Sequence, residues 1–438
     1  MDDVISSRDA QLGMDFLSDT PKVFKSVKGT TNTSADGVYG WYRYIQDFTG
    51  EFAEEWLTKL FPNGGSVWDP FAGSGTTLVA SKKLGLPSAG FDVSPFMVDV
   101  VRAKTDWSID PTLLTKAIDT VLSRAQVEAE PLSERLVTWS DYDDVMQAST
   151  DFPGDTKLRK WISPVVVRRL QILIDSIDAV VDERVRRFLR LGVAGVLVPA
   201  SNMALRPNIC YKTKATLDYP VLKEFSIRIR RMVSEYIKLD HGNNVPALIE
   251  VGDSRTARPE VPTGIFTSPP YPNDMEYVHQ TRLELALLNY VNDKKGLTSL
   301  KKAMISSSVK LVYNDNAWQK DLGLEVSSVA KAYGDVNKTL EGKNWGWNPA
   351  DMVAQYFGGM RAVMRTWHER LPVGGVAAVV IGDSAFNGIK VATDVLLGEC
   401  AEMDGFKVED IAVFRERWNT KHTETLRESV VVLRKGQH

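Results

Sequence analysis

A glycine-rich turn between two strand-like segments is the feature that most constrains the fold of this chain. The sequence from Ser66 reads SVWDPFAGSGTTLVASKKLGLPSAGFDVSP and predicts a short strand over residues 66–68, a helix over residues 76–84 and a second strand over residues 89–92. Gly85 is placed to end the helix. A strand, a crossover helix and another strand form a βαβ unit, so the sequence predicts an α/β fold.

The turn itself predicts a ligand site. It spans Asp69 to Thr77 and lies where glycines let a ligand approach the backbone and where a helix N-terminus faces that ligand. Asp92 ends the next strand, about 20 residues further on, where an acid can hydrogen-bond ribose hydroxyls. Leu78 stands where a nicotinamide site needs a third glycine, and the GK[ST] of a Walker loop is absent. An acid at the strand tip suits an ammonium and a sulfonium, which favours S-adenosylmethionine over a pyrophosphate cofactor.

Composition excludes several other classes of protein. The 438 residues, 43% hydrophobic and 25% charged, are typical of a globular protein with two or three domains. No apolar run approaches the roughly 20 residues that cross a bilayer, so a soluble, cytoplasmic protein without membrane contact is expected. Two cysteines and five histidines in no metal-ligand spacing predict neither a disulfide framework nor a metal site.

The middle of the chain has a separate character. Residues 107–244 predict mainly helices, one of them beginning at Ser163 and Pro164. Although the whole chain has a net charge of −3, residues 157–231 carry 16 lysines and arginines against 6 acids. Segregated positive charge of this kind indicates a module that faces a polyanion.

Strand signals return after this module. Residues 247–254 and 264–267 are about ten residues apart and are predicted to be neighbouring strands. A helix is predicted from Asn348 and Pro349, and a buried strand, a helix and a last strand follow it. The predicted organisation is therefore an N-terminal arm (1–37), a discontinuous α/β domain (38–106 and 245–438, less regular at about 295–347) and a helical basic insertion (107–244).

The strand at 264–267 runs into Thr267-Ser268-Pro269-Pro270-Tyr271, and two prolines in succession can continue neither a sheet nor a helix. Together, DPFAGSGTT and TSPPY resemble the signature segments of the amino-methyltransferases of DNA, which methylate the exocyclic nitrogen of cytosine or adenine. The resemblance covers about half of the chain, at 38–105, 246–290 and 350–435, and the segment from Trp41 to Phe52 is loosely similar to the family's additional cofactor motif. The long helical insertion departs from the family's usual spacing.

The resemblance implies a Rossmann-like methyltransferase fold, a doubly wound mixed sheet interrupted by the helical insertion. It implies that S-adenosylmethionine contacts Asp69, Pro70, Phe71, Ala72, Gly73, Ser74, Gly75, Thr76, Thr77, Asp92, Val93, Asp253 and Ser254. Asp92 would contact the ribose and Asp253 the adenine. The catalytic residues would be Ser268, Pro269, Pro270 and Tyr271.

The same resemblance suggests a mechanism. Ser268 Oγ and the Pro269 carbonyl would accept hydrogen bonds from a base amine and favour a pyramidal, nucleophilic nitrogen. Tyr271 would stack on a base rotated out of the duplex. Neither a metal nor a covalent intermediate is required, and Cys210 lacks the preceding motif of a cytosine-C5 methyltransferase nucleophile.

A serine at position 268 favours cytosine N4 over adenine N6 within this family. Double-stranded DNA is the implied partner, and a restriction-modification or phage-defence role would add a cognate restriction endonuclease. Candidate DNA contacts are Arg206, Lys212, Lys214, Tyr277 and Arg282, and a competing region at 295–350 offers Trp345 and Trp347. An RNA base-amine methyltransferase and a non-catalytic nucleic-acid-binding protein remain as alternatives.

Overall fold

The computed structural model describes residues 37–44, 47–133, 138, 158–205, 209–260, 262–272, 276–341, 348–418 and 424–436. The predicted N-terminal arm therefore lies outside the described residues, apart from Gly37. The strands, in chain order, are β1 (Val67–Asp69), β2 (Ser88–Asp92), β3 (Met203–Ala204), β4 (Cys210–Tyr211), β5 (Ala247–Val251), β6 (Gly264–Thr267), β7 (Val376–Gly382), β8 (Ser384–Phe386), β9 (Ile389–Val391), β10 (Phe406–Trp418) and β11 (Thr425–Lys435).

The described α-helices are α1 (Gly50–Leu60), α2 (Thr76–Lys83), α3 (Pro95–Thr105), α4 (Pro111–Ala129), α5 (Leu158–Trp161), α6 (Pro164–Asp178), α7 (Glu183–Ala200), α8 (Val221–Tyr236), α9 (Tyr277–Gln280), α10 (Arg282–Leu287), α11 (Lys294–Ala303), α12 (Ala317–Leu324), α13 (Ser327–Lys338), α14 (Pro349–Arg370) and α15 (Thr393–Met403). Short 3-10 helices are found at Gly37–Trp41, Glu130–Ser133, Val309–Leu311 and Asn314–Asn316. Within the described residues, no helix has the length and apolar character needed to span a membrane.

Among the described residues, seven strands form the central sheet, in the order β10-β11-β7-β6-β1-β2-β5. Five of these strands are parallel to one another, namely β5, β2, β1, β6 and β7. β11 runs antiparallel to β7, and β10 runs antiparallel to β11. The chain first builds outward from β1 through β2 to β5 and then returns to the other side of β1 as β6. That reversal is the switch point of a doubly wound sheet, and ligands bind at the carboxyl ends of the strands beside it. The expected α/β class with a mixed, Rossmann-like sheet is confirmed.

One prediction about the sheet was wrong. β5 and β6 are not neighbours, because β5 pairs with β2 and lies at the edge while β6 lies between β1 and β7. Burial explains the arrangement: all four residues of β6 are buried, whereas β5 leaves Leu248 and Val251 exposed. An edge strand tolerates such exposure and a central strand does not.

Helices cover both faces of the sheet. Successive residues of a strand point to opposite faces, and Ile265 and Phe266 accordingly belong to two different apolar clusters. On the Ile265 side, α14 packs its buried Met360 and Trp367 against the sheet. On the Phe266 side lie α1, α3 and the helical segment between β2 and β5, which shares that cluster.

The helix starts expected from the sequence are confirmed, with one difference in detail. Asn348 Oδ1 accepts hydrogen bonds from the N–H groups of Ala350 and Asp351 at the start of α14. Ser163 does precede α6, with Pro164 at the first helical position. Its hydroxyl, however, donates to the Leu217 carbonyl at 2.6 Å, which ties α6 to the segment that leads into α8.

Candidate active site

A cavity of about 260 Å³ opens at the carboxyl ends of the central strands. It brings together residues from the glycine-rich turn, from β2, from β5 and from the proline elbow after β6. The residues predicted from the sequence that line it are Asp69, Pro70, Phe71, Ala72, Gly73, Thr76, Thr77, Asp92, Val93, Asp253, Ser254, Ser268, Pro269, Pro270, Tyr271 and Tyr277. Segments far apart in the sequence therefore meet at one place.

The glycine-rich turn needs its glycines for geometry as well as for access. Gly73 and Gly75 have positive φ angles of 50° and 85°. A Cβ atom on Gly75 would lie 2.8 Å from Val101 Cγ2, so only glycine fits between α2 and α3. Ser74 and Gly75 are not among the lining residues, and Ser74 is buried. Ser74 and Gly75 therefore stabilise the conformation of the turn and do not form part of the cavity wall.

Asp69 connects the two sequence motifs. Its Oδ1 accepts a hydrogen bond of 2.6 Å from Thr267 Oγ1, at the start of the proline elbow, and one of 3.1 Å from the Phe71 N–H. Burial raises the pKa of Asp69 to about 6, and these hydrogen bonds only partly offset that rise. The tip of β1 and the tip of β6 are thus fixed to each other by one buried carboxyl.

Asp92 orders the turn from the neighbouring strand. Its Oδ2 accepts a hydrogen bond of 3.0 Å from the Gly73 N–H, and its Oδ1 accepts one of 2.8 Å from the Ser94 N–H. Burial raises the pKa of Asp92 to about 7. A partly buried carboxylate beside the cavity gains from a ligand that donates hydrogen bonds or carries positive charge.

Asp253 follows β5 and also lines the cavity. Arg255 binds both of its carboxylate oxygens, and the Ser254 hydroxyl donates to the Pro70 carbonyl of the glycine-rich turn. The loop after β5 is therefore joined to the loop after β1. A rigid wall of this kind can position a ligand that lies across both loops.

The proline elbow is held against the end of β7. Ser268 Oγ donates a hydrogen bond of 3.2 Å to the Val380 carbonyl, which leaves the lone pairs of the hydroxyl oxygen as acceptors. The Tyr271 ring lies on Gly382, where a Cβ atom would come within 2.9 Å of Tyr271 Cε2. The Tyr277 hydroxyl accepts from the Tyr271 N–H at 3.4 Å. Both side chains that the sequence singled out in the elbow thus have defined positions.

Sequence reasoning missed a partly buried acid at the same cavity. The cavity is also lined by Tyr44, Asp47 and Phe48. All three belong to the segment from Trp41 to Phe52, for which the sequence predicts a cofactor motif but no individual contact. The Ser74 hydroxyl donates to Asp47, and Lys104 Nζ donates to Ser74 Oγ at 3.3 Å. Burial raises the pKa of Asp47 to about 6 and lowers that of Lys104 to about 8. The aromatic residues around position 47 were the available signal.

The basic residues proposed for DNA binding lie elsewhere. Lys212 Nζ donates to the Pro199 carbonyl (2.8 Å), the Ser201 carbonyl (2.6 Å) and Thr216 Oγ1 (3.1 Å). An ammonium has three donors, so this geometry favours a structural role for Lys212 instead of a phosphate contact. Lys214 is exposed, and neither lysine lines the cavity.

The remaining candidates are divided between the described and undescribed parts of the chain. Arg282 does not line the cavity, and its guanidinium lies 5.1 Å from the centre of the Trp161 ring. Arg206, Trp345 and Trp347 lie outside the described residues. Where the structure describes the chain, it contains no group of three or more histidine, cysteine, aspartate or glutamate side chains that could hold a metal ion.

With this geometry established, the chain can be compared with known proteins. A family model described as DNA methylase, N6_N4_Mtase, matches residues 19–103. The Type II methyltransferase M.BsoBI of Geobacillus stearothermophilus is 23% identical, over 91% of this chain and 84% of that protein. The chain is therefore similar both to the N6/N4 class of DNA methylases and to Type II methyltransferases. Members of methyltransferase families normally use S-adenosylmethionine.

Two further Type II methyltransferases are similar over a smaller part of this chain. The Type II methyltransferase M.MjaII of Methanocaldococcus jannaschii is 23% identical, over 56% of this chain and 61% of that protein. M.AvaI of Anabaena variabilis is 30% identical, over 39% of this chain and 38% of its own length. Among solved structures, the rRNA methyltransferase aviRa from Streptomyces viridochromogenes aligns with 93% of this chain and 90% of its own, at 12% identity. Its TM-score of 0.26 is too low to indicate a shared fold.

Proposed function

We propose that this protein transfers a methyl group from S-adenosylmethionine to the exocyclic N4 amine of a cytosine in double-stranded DNA. The observation that carries the proposal is that the glycine-rich turn and the Ser268–Tyr271 elbow line one cavity. Asp69 joins the two through its hydrogen bond to Thr267. A methyl donor bound at the turn and a base bound at the elbow would therefore be neighbours, as direct transfer requires.

The residues at the turn fit S-adenosylmethionine. Asp47, Asp69 and Asp92 are acids whose burial raises their pKa values, and a ligand with an ammonium and a sulfonium offsets the cost of ionising them. Asp92 is assigned to the ribose hydroxyls and Asp253 to the adenine. When bound, the cofactor supplies a methyl group on a positively charged sulfur. Phe71 and Gly73 of the turn would form the wall against which it lies.

The elbow is suited to activating an amine. The lone pair of an exocyclic amine is delocalised into the base, so the amine is a poor nucleophile in plane. The Ser268 hydroxyl proton is directed to the Val380 carbonyl, and the oxygen can then accept an N–H of the amine. The Pro269 carbonyl is the second acceptor, and the prolines limit how far either can turn. The Tyr271 ring, supported by Gly382, provides a surface on which the base can stack.

Serine at position 268 is the reason for preferring cytosine N4 over adenine N6. A hydroxyl engages an amine as a single small acceptor, whereas a carboxylate or an amide would engage the amine and the ring nitrogen of adenine differently. The relatives are named Type II methyltransferases, which supports a role for this chain in restriction-modification with a cognate endonuclease. Base flipping forms part of the proposal, because the target amine must leave the duplex to reach the elbow.

The test is direct. The purified protein is incubated with labelled S-adenosylmethionine and, separately, with DNA or RNA, and the nucleic acid is digested to nucleosides for mass spectrometry. We expect N4-methylcytosine in DNA. N6-methyladenine would refute the assignment of the base while retaining the class, and label confined to RNA would refute DNA as the substrate. A Ser268→Ala variant serves as the matched control, with cofactor binding unchanged and label incorporation strongly reduced.

A further inference from the structure

The cavity is divided by charge. Its acidic residues at the turn and at β5 are Asp47, Asp69, Asp92 and Asp253. Arg415 and Arg417 of β10 are the only lysines or arginines among the described residues that line it, and Glu428 of β11 lines it beside them. A cationic methyl donor accounts for the acidic end, but it gives no role to two guanidinium groups at the same cavity. The basic end calls for an anionic part of the second substrate.

These arginines lie where β10 and β11 extend beyond the end of β7. β7 ends at Gly382, which pairs with Glu428 of β11. The pairing of β10 with β11 continues beyond this point, from Arg415 opposite Glu428 to Trp418 opposite Thr425. A two-stranded ribbon therefore projects past the carboxyl end of β7. Arg415 and Arg417 are two residues apart, so they share one face of the ribbon, and both line the cavity.

Both arginines lie close to the carboxylate of Glu428. Its carboxylate oxygens lie 3.5 Å from Arg415 Nη1 and 3.6 Å from Arg417 Nε, and the two arginine side chains are 39% and 47% exposed. The Glu428 side chain is only 14% exposed, but ion pairs of this length whose guanidinium groups are open to solvent contribute little to stability. Arginine binds phosphate more strongly, through paired N–H donors. The pairs with Glu428 can therefore give way to a phosphate group.

We propose that Arg415 and Arg417 bind the backbone phosphates that flank the target nucleotide when its base enters the cavity. The inference rests on the proposed function, in which the second substrate is DNA. A nucleotide rotated out of a duplex brings its own phosphates to the mouth of the pocket that receives the base. Contacts of this kind carry no sequence information but fix the position of the nucleotide, here with its amine towards Ser268.

The experiment begins with DNA from cells that express the protein, in which sequencing of modified bases identifies the methylated site. Binding of a duplex with that site is measured at several salt concentrations for the wild type, Arg415→Gln, Arg417→Gln and the double variant. We expect about tenfold weaker binding for each single variant. The salt slope of the double variant should fall by roughly 1.8, since each lost phosphate contact removes about 0.9. Affinity for S-adenosylmethionine should not change.

Arg434→Gln is the matched control. Arg434 lies at the other end of β11, where that strand also pairs with β7, and its side chain is 45% exposed and pairs with Glu409. Its replacement should leave DNA binding and the salt slope unchanged. Glu428→Gln is a second variant that keeps both arginines and removes their competing acid, and it should tighten DNA binding several-fold. Unchanged or weaker binding by Glu428→Gln would count against the inference.

Neutral methylphosphonates at the flanking phosphates provide the decisive comparison. The wild type should lose about tenfold in affinity for the modified duplex, while the double arginine variant should lose nothing further. An equal loss in both proteins, or an unaltered salt slope in the double variant, overturns the arginine assignment and leaves the proposed function intact. A wild-type protein that binds S-adenosylmethionine but methylates no DNA and does not bind it rejects DNA as the substrate, and the inference with it.

Discussion

Arg255 donates hydrogen bonds to both carboxylate oxygens of Asp253. Arg255 Nε lies 2.9 Å from Oδ1 and 3.0 Å from Oδ2, and Nη2 lies 2.6 Å from Oδ2. Arg255 Nη2 also donates to the Ala303 carbonyl at 3.2 Å, and Ala303 is itself part of the cavity wall. One guanidinium thus orients the acid assigned to the cofactor's adenine and holds the neighbouring wall.

Replacing Arg255 should therefore affect cofactor binding more than chemistry. We expect Arg255→Lys to weaken S-adenosylmethionine binding about tenfold, because a lysine keeps the charge but not the paired donors. The turnover of the saturated enzyme should change less. Isothermal titration calorimetry gives the affinity, and Arg258→Lys, at an arginine that pairs with the exposed Glu369, is the control. An Arg255→Lys variant with wild-type affinity and a lower melting temperature would reduce Arg255 to a purely structural residue.

The contact between Gly382 and Tyr271 gives a second prediction. A Cβ atom at position 382 would lie 2.9 Å from Tyr271 Cε2, so Gly382→Ala must displace the ring. We expect turnover to fall by roughly 10- to 100-fold, since a displacement of about 1 Å in a positioning group has effects of that size. Affinity for S-adenosylmethionine should remain within about twofold of the wild type, because the turn lies on other strands.

Gly334→Ala is the matched control for that experiment. Gly334 lies in α13, and no atom outside its own surroundings comes within 4 Å of a Cβ placed there. Alanine in a helix interior is more stable than glycine by about 0.5–1 kcal/mol, so this variant should be fully active and slightly more stable. Wild-type turnover of Gly382→Ala would show that the ring position does not matter for transfer.

The acids that line the cavity predict a pH dependence of cofactor binding. Burial raises the pKa of Asp92 from 3.8 to about 7. Between about pH 4 and pH 7, Asp92 therefore stays protonated in the folded protein but is ionised in the unfolded chain. The protonated group favours folding at low pH, and this contribution to stability is lost as the pH rises through about 7. A cationic ligand prefers the ionised form. We expect S-adenosylmethionine binding to tighten roughly tenfold from about pH 6 to pH 8.

The Asp92→Asn variant separates the titration of Asp92 from that of Asp47 and Asp69 at the same cavity. The variant should bind the cofactor more weakly at about pH 8 and show a flatter dependence, with the residual slope near pH 6 due to Asp47 and Asp69, whose pKa values are raised to about 6. Calorimetry across this range measures both curves. Equal slopes in the wild type and Asp92→Asn would exclude Asp92 as the titrating group.

Local patterns in the sequence predicted the local structure well. The turn between β1 and α2, the caps of α6 and α14 and the apolar run of β7 depend on residues close together in the chain. β10 went unpredicted because its pairing with β11 shifts register between Val408 and Asp410 and again between Val413 and Arg415. Each shift reverses the alternation of apolar and polar residues, and the period-two signal of a strand is lost.

Contacts between distant segments explain the other omissions. Asp47 meets the glycine-rich turn through Ser74, 27 residues further along the chain. Arg415 and Arg417 reach the cavity because a ribbon extends beyond β7, which no local pattern encodes. Sequence spacing also failed to order β5 and β6, since strands close in sequence need not be close in a doubly wound sheet.

Lys212 and Lys214 allow the proposed basic surface to be tested with two neighbouring residues. Lys212 donates to the Pro199 and Ser201 carbonyls and to Thr216 Oγ1, whereas Lys214 is exposed. Lys212→Met should therefore lower the melting temperature by several degrees, because two carbonyls lose their donor, and should leave the salt slope of DNA binding unchanged. Lys214→Gln should leave the melting temperature unchanged and reduce the slope by about 0.9 if this loop lies on DNA. A slope that responds to Lys212 instead would mean that its contacts rearrange on binding, and a response to neither would place the duplex on another face of the helical segment.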